Sequence, residues 1–181
     1  MRKILITFIW AALLSCHSEQ SGNRVDESSS PVMPTKELHA AFLIVNGVYN
    51  SELVAPMDVL QHTVFHVDPG IRVFTIAPTR DPITTFEGLK IIPDYSFLND
   101  SLPPVDILIV PSAQHSMDSD LDNAALIDFV KKCGRKASYF MSLCDGAFVL
   151  AKAGLLDLHD CTTFPGDIQR FRETFPNQVG S

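Results

Sequence analysis

Residues 137–154, Ala-Ser-Tyr-Phe-Met-Ser-Leu-Cys-Asp-Gly-Ala-Phe-Val-Leu-Ala-Lys-Ala-Gly, change their hydrophobic period in mid-run. Tyr139 to Leu143 is an apolar run of strand length. Beyond Cys144-Asp145-Gly146, Phe148, Leu150, Ala151 and Leu155 recur at helical spacing, and Gly154 is placed to end a helix. A cysteine at such a junction sits where a nucleophile elbow would hold it, presented at the carboxyl edge of a sheet. Unpaired amides at the start of the following helix, and the helix dipole, would favour a thiolate there. A buried structural cysteine is the competing reading.

The rest of the chain alternates strand and helix patterns. His39–Val45 reads as a buried first strand. Ser51 is a fair N-cap for a helix over Glu52–Phe65, although Pro56 would cost that helix a hydrogen bond. With Pro56 in the first turn the helix would start later and leave Glu52 on the loop. Ile71–Ala77 reads as a second strand, Thr84–Pro93 as a small β excursion and Val105–Pro111 as a third long strand. Asp122–Lys132 reads as a helix, acidic at its start and basic at its end. After the cysteine segment come a strand at Asp160–Phe164 and a helix from Gly166 to Phe175. This alternation predicts an α/β fold: a doubly wound, mostly parallel sheet with helices on both faces.

The segment Ser-Leu-Cys-Asp-Gly-Ala-Phe-Val-Leu-Ala-Lys-Ala-Gly-Leu-Leu at 142–156 resembles the nucleophile region of the ThiJ/PfpI superfamily, of the class I glutamine-amidotransferase-like, flavodoxin-like fold. The likeness runs from about His39 onwards. It implies further strand structure and a final helix beyond Ser181, so the domain over 37–181 reads as incomplete at its carboxyl end. Members of that superfamily include deglycase- and glyoxalase-type enzymes, chaperones, isonitrile hydratases and sensor domains of AraC-type regulators, so the fold alone does not select a reaction.

The resemblance also assigns roles by position. Cys144 is the nucleophile. Glu52, four residues before Pro56, matches the family's acidic residue; beside the sulfur it should hold its proton and hydrogen-bond to it. Pro111-Ser112-Ala113 stands where the family has Pro-Gly-Gly, which makes the amides of Ala113 and Asp145 the expected oxyanion donors. Phe164, in Thr162-Thr163-Phe164-Pro165, replaces a histidine that Cys-His relatives carry, and should line the site without supplying a base. His115, on the loop after the third strand, is the candidate substitute. The remaining histidines show no ligand spacing and there is no phosphate-binding glycine loop, so neither a metal nor a cofactor is expected.

Residues 1–16 read as a lipoprotein-type signal. Arg2 and Lys3 precede the apolar run Ile4–Leu14, and Leu13-Leu14-Ser15-Cys16 resembles a bacterial lipobox with Cys16 as the lipidation site. Residues 17–36, rich in serine with Pro31 and Pro34, read as a disordered tether. The expected location is the bacterial cell envelope, with the domain facing the periplasm or the cell exterior on a membrane anchor. The chain of 181 residues carries a net charge of −7. Removing Arg2 and Lys3 with the signal leaves 12 basic against 21 acidic residues, a net −9, which argues against direct nucleic-acid binding. Cys133, Cys144 and Cys161 then remain, an odd number that suggests a free thiol rather than a disulfide framework.

Two functions fit. One is a cofactor-independent enzyme in which Cys144 attacks a small electrophilic molecule, as a hydrolase, hydratase or glyoxalase-like protein. The other is a non-catalytic ligand- or redox-sensing domain. The partner is a small molecule in either case, and a homodimer is open to both.

Overall fold

A computed structural model describes residues 36–157 and 159–178. The signal, the lipobox with Cys16 and nearly all of the tether lie outside the described residues. Five parallel strands form the sheet: β1 (His39–Leu43), β2 (Arg72–Ala77), β5 (Tyr95–Ser96), β6 (Ile107–Val110) and β7 (Tyr139–Ser142), in the order β5-β2-β1-β6-β7. A two-residue antiparallel ribbon, β3 (Ile83–Thr84) with β4 (Lys90–Ile91), stands apart from it. The helices are α1 (Asn50–Gln61), α2 (Ser119–Asp122), α3 (Ala124–Gly134), α4 (Gly146–Lys152) and α5 (Ile168–Thr174).

Strand periodicity divides the core between two faces. Ala40, Phe42 and Ile109 pack on one side with Leu53 of α1. Leu43, Leu108 and Val110 pack on the other with Leu126 and Val130 of α3 and Phe148 and Leu150 of α4. The central strands are therefore covered on both faces, as their near-continuous apolar runs require, whereas the edge strand β7 leaves Tyr139 and Met141 exposed. From β1 the chain winds outward to β2 and β5, then crosses back to β6 and β7. The direction reverses between β1 and β6, and at such a switch point the loops leaving the two strands diverge and open a crevice. Here the two loops are joined across it: Tyr49 N–H donates to Ser112 O at 3.2 Å, Gln114 N–H to Gly47 O at 3.0 Å, and Val48 bridges Ala113.

Two local expectations need correction. The helix carrying Glu52 starts at Asn50, with Tyr49 rather than Ser51 at the N-cap, and Pro56 lies inside it. The Glu87 carboxylate accepts the Asn50 amide at 3.0 Å and supplies the capping that Ser51 was expected to give. Residues 160–164 do not form a strand; only Cys161 takes a bridge position. β5, two residues long, had no hydrophobic run to announce it. Gly154 does end α4: at φ 68 it donates to Ala151 O, and Leu155 N–H donates to Leu150 O, closing the last turn.

Candidate functional site

Cys144 lies between β7 and α4 with φ 50, an unusual conformation for a residue with a side chain. Its backbone is held on both sides. Gly146, two residues on, packs against β6 so closely that a Cβ there would lie 2.0 Å from the Val110 carbonyl oxygen. Thr163 Oγ1 donates to Asp145 Oδ1 at 2.8 Å and stands 3.2 Å from the Cys144 carbonyl oxygen. Asp145 and Thr163 are both buried, so this contact fixes the turn from inside.

Glu52 reaches the same place from the first turn of α1. Its Oε2 accepts the Ser112 amide at 2.7 Å, across the gap between β1 and β6. Pro56 has no N–H, so the Glu52 carbonyl lacks the donor four residues on that an α-helix normally supplies. The Cys144 thiol donates to Asp145 Oδ2 at 3.7 Å, and the Glu52 carboxyl lies close enough for it and the thiol to influence each other's ionisation. Burial pushes the Glu52 carboxyl above its ordinary range, aided by Asp145 and Glu87, while the Ser112 amide and the thiol pull it back in part.

The cysteine itself departs from expectation. Burial pushes its thiol up to about 12, and the negative charges of Glu52 and Asp145 add to the effect. The Asp145 amide acts the other way and is outweighed. α4 has only seven residues, and two carboxylates face the sulfur where a thiolate would need positive charge. Cys144 is therefore a protonated thiol at neutral pH, not a pre-formed thiolate. Cys133 and Cys161 are likewise in no disulfide and are half-buried; burial raises both, Cys133 to about 11.

Of the two amides expected to stabilise an oxyanion, that of Ala113 is already engaged. Ala113 N–H donates to the buried Ser116 Oγ at 2.8 Å, and the Asp145 amide faces the Cys144 sulfur. An oxyanion role for Ala113 would need Ser116 to turn away. Phe164 follows the buried Thr163, 52% exposed, with its ring beside Gly166. The His115 imidazole pairs with Asp118 at 3.1 Å and opens on a cleft with Asn46, Asp81, Asp120 and Asn123.

Other parts of the site carried no sequence signal of their own. Tyr49 stacks at a tilt on Phe86, with ring centroids 4.7 Å apart, which brings the β3–β4 ribbon over the start of α1. The tyrosine hydroxyl is raised by burial and by the nearby Glu52, Cys144 and Asp145. Ser112 was visible only as a substitute for glycine, and Ser116 carried no signal. Thr163 was visible only as the neighbour of Phe164.

The model of the DJ-1/PfpI family matches residues 38–175. The chain belongs to the DJ-1/PfpI family. Among curated proteins it is 29% identical over 126 residues to isonitrile hydratase of Pseudomonas putida, covering 70% of this chain and 52% of that protein. It is 31% identical over 108 residues to the HTH-type transcriptional regulator GbdR of Pseudomonas aeruginosa, covering 58% of this chain and 28% of the regulator. The chain thus spans about half of the hydratase and a smaller part of the regulator. Among solved structures, a ThiJ/PfpI family protein from Pseudomonas syringae aligns with TM-score 0.57 and 27% identity, over 79% of this chain and 56% of that one. DJ-1 of Schizosaccharomyces pombe aligns with TM-score 0.62 over 80% of this chain and 75% of its own; at 13% identity it speaks for the shared fold.

Proposed function

We propose that this family member is a cofactor-independent hydratase in which Cys144 adds to the terminal carbon of a small isonitrile-like molecule and Glu52 carries the proton. The observation that carries the reading is the placing of Glu52 beside Cys144, held there by the Ser112 amide at 2.7 Å, with both groups raised above their ordinary values. An enzyme that attacks esters or amides profits from a ready thiolate. An isonitrile carbon bears a lone pair and takes up a proton as it accepts the nucleophile, so a site that retains the thiol proton and has a raised carboxyl suits it better. The 29% identity to isonitrile hydratase supports the same choice.

The steps balance without a cofactor. The thiol proton passes to Glu52 as sulfur approaches the carbon. Glu52 delivers a proton to that carbon, and the S–C bond forms to give a thioimidate. Water then adds to the same carbon, the S–C bond breaks, the thiol regains a proton, and an N-substituted formamide leaves. Tyr49 and Phe86 would form an aromatic wall beside the reacting group.

The anchoring reading belongs to the same proposal. Arg2, Lys3, the apolar run Ile4–Leu14 and the Leu13–Cys16 motif support an envelope lipoprotein acylated at Cys16. Labelled palmitate should enter the wild-type chain and not the Cys16→Ala variant.

A sensor is the second reading, favoured by two observations: the similarity to GbdR, and a thiol at about 12 with Phe164 where Cys-His relatives carry a base. One experiment separates the two. The full chain is mixed with a tenfold excess of a small alkyl isonitrile and formamide is followed by NMR. Many equivalents of formamide per protein, absent in Cys144→Ala, support the hydratase. Saturable binding without product supports the sensor.

A further inference from the structure

We propose that the amino edge of the sheet, at the corner formed by the end of α3 and the start of β6, is a docking surface for anionic lipid headgroups. The inference rests on the anchoring proposed above. Lys131, Lys132, Arg135 and Lys136 crowd the end of α3 and the turn after it, all exposed, in a chain whose net charge is −7. They flank an open, largely apolar groove lined by Leu102, Pro103, Pro104 and Phe129, with Lys132 and Lys136 on its rim.

The described residues begin at this same corner. Lys36, the first described residue, places its Nζ 2.9 Å from Asp106 Oδ1, and Asp106 also lines the groove. Asp106 is thereby neutralised, and its second oxygen takes the His39 amide at 3.0 Å. Two further carboxylates stand nearby: Asp128 is paired with Lys132 at 2.8 Å, and Glu37 lies 3.4 Å from His39 Nε2. Five cations thus face three carboxylates, each with a partner.

Glu37 and Asp68 also stand on the amino side, before β1 and β2, but a larger acidic group lies at the opposite edge. Glu52, Asp81, Glu87, Asp118, Asp120, Asp122 and Asp145 all stand on elements that leave the carboxyl ends of the strands. At physiological ionic strength charges are screened within about 8 Å, so a bilayer at the amino edge would feel the basic corner and not the far edge. The segment 17–35 spans at most roughly 65 Å even when fully extended. A lipid on Cys16 would therefore keep the corner close to the bilayer, where a weak patch is effective. Docking in this sense turns the Cys144 edge towards solvent, where a small substrate reaches it.

The mature chain offers a clean reporter. The only tryptophan in the sequence is Trp10, within the predicted signal, so Pro104→Trp introduces a single tryptophan into the processed lipoprotein. Leu98→Trp, beyond the carboxyl end of β5, is the control for the opposite edge. Both lipoproteins are reconstituted on vesicles of brominated phosphatidylcholine with and without 30% phosphatidylglycerol. We expect quenching of the Pro104→Trp reporter that strengthens with phosphatidylglycerol, and little quenching of the control. Changing Lys131, Lys132, Arg135 and Lys136 to Gln should lower the docked-to-free ratio roughly fivefold per cation while the protein still floats with the vesicles. Equal quenching at the two positions, or quenching that survives the four changes, overturns the docking surface alone. Loss of flotation in the unaltered lipoprotein overturns the anchoring and the docking surface together.

Discussion

Glu52 Oε2 and the amide of Ser112, 60 residues apart in the chain, meet at 2.7 Å where β1 and β6 part. The contact ties the acid to the sheet rather than to its own helix, and aims the carboxylate at the Cys144 thiol. Both groups remain above their ordinary values because they share one partly buried place with Asp145.

Glu52→Gln keeps an oxygen for the Ser112 amide and removes the group proposed to carry the proton. The fold should persist, with Tm within a few degrees of wild type. Formamide production from an isonitrile should fall by about 10²–10⁴ in kcat. Steady-state kinetics beside a thermal melt checks both; an unchanged kcat removes Glu52 from the mechanism.

The protonation of Cys144 gives two measurable pH effects. Its alkylation by iodoacetamide should show a midpoint near 12, and Cys144 should have no kinetic advantage over Cys161. Glu52→Gln should move the midpoint down, because a negative charge is removed. The stability effect has a definite sign. The unfolded thiol ionises near 9.0, whereas the folded one holds its proton to about 12. Its contribution is complete below pH 9 and is lost as pH rises towards 12. Cys144→Ala should flatten that part of the alkaline stability profile, read from urea unfolding at successive pH values.

Gly146→Ala would place a methyl 2.0 Å from the Val110 carbonyl oxygen, a backbone atom that cannot step aside as a side chain could. The loss should be about 3 kcal/mol, with Tm lower by roughly 10 °C. A variant as stable as wild type would mean that α4 does not press on β6 as described.

Phe164 is half exposed, so Phe164→Ala should cost less than about 1 kcal/mol in a urea melt. Phe164→His should bring the alkylation midpoint of Cys144 down by offering a proton acceptor and, when charged, a counter-ion. If neither variant changes alkylation or ligand binding, Phe164 stands outside the site.

Much of the fold was legible because its strands are apolar on both faces and its turns carry their own punctuation. The switch from Tyr139–Leu143 to Phe148 and Leu150 placed β7, α4 and the cysteine between them. What was not legible depended on distant residues. The capping of α1 comes from Glu87 on the ribbon, so Ser51 looked like the cap when α1 was read alone. Cys161 and its neighbours have strand-like composition but run irregularly beyond the outer strand β7. The raised thiol was the largest departure. A strand-to-helix turn suggests a stabilised anion, but the result is set by Glu52, which arrives from another part of the chain, and by burial. Local sequence reports the position of the sulfur, and only the assembled site reports its charge.

The central claim is that Cys144 forms a covalent bond to the substrate carbon with Glu52 moving the proton. It is tested most directly by mixing the full chain with a ¹³C-labelled alkyl isonitrile, quenching in acid at short times and locating the adduct by peptide mass spectrometry. A mass gain equal to the whole isonitrile on Cys144, decaying as labelled formamide accumulates and absent in Cys144→Ala, is the predicted result. Formamide produced at the wild-type rate by Cys144→Ala, or no adduct and no formamide from the wild type, would contradict it.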